Sequence, residues 1–200
     1  MSLVTLKIDG KQVQVEARTP ILRAIREAGL DVPTLCHLDG VEPYGVCRLC
    51  VVELRRGRRT RLVTSCNYPA EEGVLVATAT EEVLTNRRLM MELLLARSPG
   101  AARLREMAAG LGVERTRFWT QRATDCVLCG LCVRACEEIV GVSAIGFQGR
   151  GTKRQVGLPF AMTSGECIAC GACTFVCPTK AIHKEAETTE RWRQELFGEE

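Results

Sequence analysis

Aromatic side chains make up only 4% of this 200-residue chain. With so few rings, a small domain lacks the large apolar groups that usually dominate a core, so other centres must help hold it together. No apolar run is long enough to span a bilayer, which excludes membrane insertion by a helix. A formal net charge of +3 is too small to indicate a nucleic-acid partner. No glycine-rich dinucleotide fingerprint stands beside a strand–helix pair, and no flavin-site signature or catalytic triad occurs. A secretory leader is also missing, so the expectation is a cytoplasmic, reducing compartment. The 46% apolar content is that of an ordinary globular protein, with room for one large domain or two small ones.

What the chain has in excess is cysteine, twelve in all. Eight lie within residues 126–178, which read CVLCGLCVRAC from Cys126 to Cys136 and CIACGACTFVCP from Cys167 to Pro178. Each half is C-x2-C-x2-C-x3-C, the bacterial ferredoxin run written twice. Two-residue gaps turn three thiolates inward from one tight loop onto three corners of a cubane. The fourth cysteine lies a helical turn beyond the third and is carried towards the other cluster. One [4Fe–4S] cluster is therefore assigned to Cys126, Cys129, Cys132 and Cys177, and the other to Cys136, Cys167, Cys170 and Cys173. Zinc needs four ligands per ion and no third thiolate at two-residue spacing, while disulfides would imply a secreted chain.

The remaining four cysteines, Cys36, Cys47, Cys50 and Cys66, are spaced C-x10-C-x2-C-x15-C. Four thiolates suit a [2Fe–2S] rhomb, two to each iron, with Gly40 and Gly45 letting the backbone wrap closely. A four-cysteine zinc site is the alternative for this set. Plant-type ferredoxins begin C-x4-C-x2-C, so the longer first loop marks a different variety. With all twelve cysteines used, none is left for nickel or molybdenum, and the chain is read as carrying electrons without holding the substrate chemistry.

Around these ligands the pattern is α+β. Residues 3–8 and 13–17 alternate about Asp9-Gly10 as a hairpin. Thr19-Pro20 reads as an N-cap followed by proline at the first helical position, with the helix ending at Gly29. A hairpin followed by a helix on the sheet opens a β-grasp fold. Residues 51–54 and 62–65 read as strands joined by the basic run 55–61, taken as a solvated hairpin turn. Thr80 caps a helix over 81–96 whose apolar stripe is Leu89, Met90, Leu93 and Leu94. Residues 100–112 form a short helix, 141–165 contain a hairpin, and 185–200 have helix-forming composition with Trp192, Leu196 and Phe197 on one face. His37 follows a ligand directly, but a Rieske-type centre needs two histidines on one iron. It is read as an outer or surface residue, and His183 as surface.

The stretch 33–76, the helix after it and both ferredoxin runs resemble the N-terminal part of the large iron–sulfur subunit of respiratory complex I. They resemble equally the iron–sulfur diaphorase subunit of NAD-reducing and bifurcating hydrogenases and the N-terminus of NAD-linked formate dehydrogenases. Residues 126–147 are most like the hydrogenase and formate dehydrogenase members. In that family the helix is followed by H-x3-C-x2-C-x5-C, which holds a further [4Fe–4S] cluster. Here Arg97-Ser98-Pro99 stands in its place, and neither Cys nor His occurs between Cys66 and Cys126.

The expected organisation is a β-grasp [2Fe–2S] ferredoxin domain over 1–78, a helical linker over 79–121, a two-[4Fe–4S] ferredoxin domain over 122–184 and a helical tail over 185–200. The resemblance implies an electron-relay subunit of a multisubunit NAD(P)-linked oxidoreductase, foremost a hydrogenase, with electron bifurcation as a variant. Its partners would be a flavin/NAD(P)H-binding subunit and a hydrogenase-type catalytic subunit, with ferredoxin as a further one. The alternatives are a free ferredoxin-like carrier and the relay of a formate dehydrogenase.

Overall fold

The computed structural model describes residues 2–120, 124–161 and 165–182. The expected tail helix and His183 lie outside them. The chain begins with an antiparallel hairpin of β1 (Leu3–Ile8) and β2 (Lys11–Glu16), in register from Leu3 opposite Glu16 to Ile8 opposite Lys11. Asp9 and Gly10 both take positive φ at its tip, +47° and +85°, as a two-residue turn matched to strand twist requires. Asp9 has a second use. Its carboxylate accepts from the Thr78 amide at 2.8 Å and the Thr78 hydroxyl at 2.6 Å, tying the hairpin tip to the far end of the sheet.

Helix α1 (Ile21–Glu27) buries Ile21, Leu22, Ala24 and Ile25 against this sheet. Burying an aliphatic side chain of this size contributes about 1.5–3 kcal/mol. The expected cap at Thr19 is not formed; Pro20 is the capping residue and offers no side-chain bond. Backbone carbonyls replace it, since the Ile21 amide donates to Tyr68 O and the Leu22 amide to Ser65 O, both at 2.9 Å. The helix start is thereby tied to the loop that carries Cys66.

Strands β3 (Val51–Arg56) and β4 (Arg59–Thr64) extend two and three residues into the basic run, whose tip is Gly57. The sheet closes with β5 (Leu75–Ala77), parallel to β1 and antiparallel to β3, in the order β2-β1-β5-β3-β4. Helix α2 (Glu81–Arg97) follows, its Thr80 hydroxyl accepting from the Val83 amide at 3.3 Å as expected of the cap. Its buried face is not the one expected. Val83, Arg87, Met91 and Leu95 point inward, whereas Leu93 is exposed and Leu89, Met90 and Leu94 are half-buried. A charged residue in the inward row disguised the i, i+4 periodicity.

Helix α3 (Ala102–Gly110) packs back on α2. Leu104 and Met91 then share a core with Leu35, Leu49, Val127 and Leu131, so both cysteine-rich regions rest on one helical pair. The last segments are α4 (Leu131–Arg134), the small antiparallel pair β6 (Gly146–Gln148) and β7 (Gln155–Gly157), and α5 (Ala172–Phe175). The whole is α+β as expected. No helix among the described residues is long and apolar enough to cross a membrane.

Candidate metal centres

The first cysteine set is assembled by a loop and a strand end. Cys36, Cys47, Cys50 and Cys66 are all buried. Gly45 takes φ +67°, and a Cβ there would lie 2.8 Å from Asn67 Nδ2, so the backbone has closed on the Cys66 loop. Gly40 has φ +84° but open space around it, so only its turn needs glycine. The thiols fall into two pairs. Cys36 is drawn down to about 6 by hydrogen bonding from Cys47, whose side chain and amide both donate, while the Cys47 thiol is pushed up by that bond and by burial. Cys50 is likewise drawn down to about 6 by Cys66, whose own thiol is pushed up. In each pair the thiol drawn down is the one that accepts the hydrogen bond. Two thiolate pairs side by side fit the donor set of two irons bridged by sulfide.

The two ferredoxin runs fold alike. Leu128 and Gly130 take φ +56° and +73°, and their counterparts Ala169 and Gly171 take +53° and +77°. Each run then enters a four-residue helix, α4 or α5, whose second residue is the third cysteine. Cys177, from the second run, bears by its charge on both Cys129 and Cys132, as does Cys126 from their own run. Burial is the larger cause of the upward shifts, to about 11 for Cys129 and about 12 for Cys132. Cys136 Sγ accepts from the Ala144 amide at 3.3 Å. Cys167, Cys170 and Cys173 are half-buried to exposed. Among the described residues no three Cys, His, Asp or Glu side chains are gathered as a single-ion site.

The first two sets adjoin one another. Cys36 and Cys47 share a core with Cys129, and the charge of Cys36 reaches Cys129. Arg134, between the third and fourth cysteines of the first run, donates through Nη2 to Cys36 O at 2.9 Å and through Nη1 to Glu42 O. Its guanidinium lies 5.5 Å from the Tyr44 ring. Tyr44 stacks on Phe147 at 6.5 Å, and Arg154 covers the other ring at 4.0 Å. Sequence reasoning missed this joint, because its aromatic and arginine partners are scattered over 110 positions.

His37 Nε2 lies 3.1 Å from a carboxylate oxygen of exposed Asp39, while its buried Nδ1 has no hydrogen-bond partner among the described residues. Arg97, at the end of α2, donates from Nε to Cys126 O at 2.9 Å and from Nη2 to Arg154 O at 3.4 Å.

Comparison with known proteins finds a different domain family over each cysteine-rich region. Residues 2–81 match the 2Fe-2S iron-sulfur cluster binding domain family, and residues 125–181 match the 4Fe-4S dicluster domain family. NADPH-Fe(3+) oxidoreductase subunit alpha of Geobacter sulfurreducens is 34% identical over 90% of this chain and 24% of its own. NADP-reducing hydrogenase subunit HndD of Solidesulfovibrio fructosivorans is 30% identical over 91% of this chain and 36% of its own. The chain therefore spans between a quarter and about a third of the length of these curated relatives. A solved chain of NAD+-reducing [NiFe]-hydrogenase in the H2-reduced state superposes with TM-score 0.67 at 30% identity, covering 78% of this chain and 74% of that one. By both matched segments and by that superposition, the protein belongs to the family of iron–sulfur chains that join a 2Fe-2S cluster-binding domain to a 4Fe-4S dicluster domain.

Proposed function

We propose that the chain is an electron-relay subunit of a multisubunit NAD(P)-linked oxidoreductase of the hydrogenase type. It would pass single electrons between a flavin/NAD(P)H-binding subunit and a catalytic subunit. In this reading Cys36, Cys47, Cys50 and Cys66 hold one [2Fe–2S] cluster. Cys126, Cys129, Cys132 and Cys177 hold one [4Fe–4S] cluster, and Cys136, Cys167, Cys170 and Cys173 hold a second. The domain limits then fall near residues 78 and 122.

The observation that carries the reading is that Cys36 and Cys129 belong to one buried core, with the charges of Cys36 and Cys177 both bearing on Cys129. Bound clusters supply reversible one-electron chemistry; the protein supplies position and field. Burial of all four thiols keeps water from the first set, and Cys129 and Cys132 are buried in the second. Arg134 holds the Cys36 peptide against α4, fixing the separation between those sets. The more exposed Cys170 puts the third set nearest the surface, where a redox partner can approach. The relatives, a subunit of an NADPH-Fe(3+) oxidoreductase and one of an NADP-reducing hydrogenase, favour a nicotinamide-linked complex over a free carrier.

Anaerobic purification from the native host with partners attached tests this. The expected particle contains flavin and, in addition to this chain's iron, the nickel or further iron of a hydrogenase. Molybdenum or tungsten would assign it to a formate dehydrogenase instead. A particle of the chain's own mass would contradict the subunit reading.

A further inference from the structure

Arg87 sits in the inward row of α2 with 5% of its surface exposed. Its Nε donates to Leu49 O at 3.1 Å and its Nη2 to Val51 O at 2.6 Å, so the guanidinium grips the carbonyls of the residues on either side of Cys50. Among the described residues no carboxylate lies within ion-pair distance of it; Asp9 and Asp31 act only through longer-range charge. Burial pulls its pKa down, and the charge of Cys50 is the first influence opposing that. A guanidinium stays protonated even so. Two neutral carbonyls satisfy some of its donors but do not offset its charge, and an uncompensated buried cation destabilises a fold.

The neighbouring site offers the missing countercharge. Two ferric ions, two sulfides and four thiolates make a dianion, and one-electron reduction makes it a trianion. We propose that Arg87 is the buried countercharge of the site formed by Cys36, Cys47, Cys50 and Cys66, and that it raises the reduction potential there by favouring the more negative, reduced state. Arg87 ligates nothing and is a positioning residue. It acts through a low-dielectric field and through the two peptides it fixes around Cys50. The inference rests on the [2Fe–2S] reading of those four cysteines.

The test is a redox titration of the intact, anaerobically purified chain followed by electron paramagnetic resonance. The unaltered chain is compared with Arg87→Gln, Arg87→Lys and Cys66→Ala. A [2Fe–2S] signal in the unaltered chain that Cys66→Ala abolishes upholds the underlying reading; its absence, or its survival in Cys66→Ala, overturns that reading and the inference with it. With the signal established, Arg87→Gln is expected to shift the reduction equilibrium towards the oxidised form about tenfold, which is 59 mV for one electron, at unchanged g-values. Arg87→Lys is expected to stay within about threefold of the unaltered chain, because it keeps the charge. An unmoved potential in Arg87→Gln, or an equal fall in Arg87→Lys, overturns the role of Arg87 while leaving the cluster assignment intact. Should Arg87→Gln fail to hold the cluster, Arg87→Lys decides: retention at the original potential upholds the need for charge, and loss in both overturns it.

Discussion

The proposed sharing of thiolates between the two runs turns on Cys177. It belongs by position to the second run, yet its charge reaches Cys129 and Cys132 of the first. Cys177→Ala is therefore expected to alter the same cluster as Cys129→Ala. Mössbauer spectra of the two variants should match each other and differ from that of Cys170→Ala; a match to Cys170→Ala would refute the crossing. The repeated loop makes a second prediction. At Gly130 an added Cβ meets Phe147 Cζ at 3.0 Å and φ is +73°, whereas at Gly171 φ is +77° with nothing within 4 Å. Denaturant unfolding should show Gly171→Ala costing about 1 kcal/mol, from the left-handed backbone alone. Gly130→Ala should cost about 1 kcal/mol more, from the blocked stack. The cysteines themselves were legible because ligand spacing is a short-range property. Arg87 was not, since nothing local distinguishes a buried arginine from one on a solvated face.

At the scale of elements, the helix starts differ in how their first amides are satisfied. Thr80→Ala removes a hydroxyl that accepts from Val83 and donates to Glu53 Oε2 at 3.1 Å. A loss of about 1 kcal/mol is expected by chemical denaturation. Thr19→Ala should stay within about 0.5 kcal/mol, because backbone carbonyls of Tyr68 and Ser65 cap α1 instead. Equal losses at both sites would contradict that distinction. The hairpin, α1 and α2 were readable because their turn residues, glycine stop and cap lie within a few positions of the helices and strands they bound. Strand β5 was not: three residues carry no usable alternation, and it exists through pairing with β1 and β3 across the sequence. The inward face of α2 was misread for the same reason as Arg87, which sits in the middle of it.

At the scale of the molecule, α2 and α3 form the floor on which two cysteine-rich regions meet. Leu35, Leu49, Val127 and Leu131 pack there around Met91 and Leu104. That floor explains how a chain poor in aromatics holds an extended metal-binding region together, because the thiols themselves are part of the core. The resemblance to larger iron–sulfur subunits foretold the domain types, while the joint of Arg134, Tyr44, Phe147 and Arg154 could be seen only after folding. Arg97, bound to Cys126 O, ties the end of α2 to the start of the first ferredoxin run.

The measurement that reaches the central claim most directly is an iron and zinc determination on the anaerobically purified chain, combined with its Mössbauer spectrum. The account predicts about ten irons and no stoichiometric zinc, with about one fifth of the iron in a [2Fe–2S] component and the rest in [4Fe–4S] components. Zinc at one equivalent or more, or a spectrum without the [2Fe–2S] component, would contradict it.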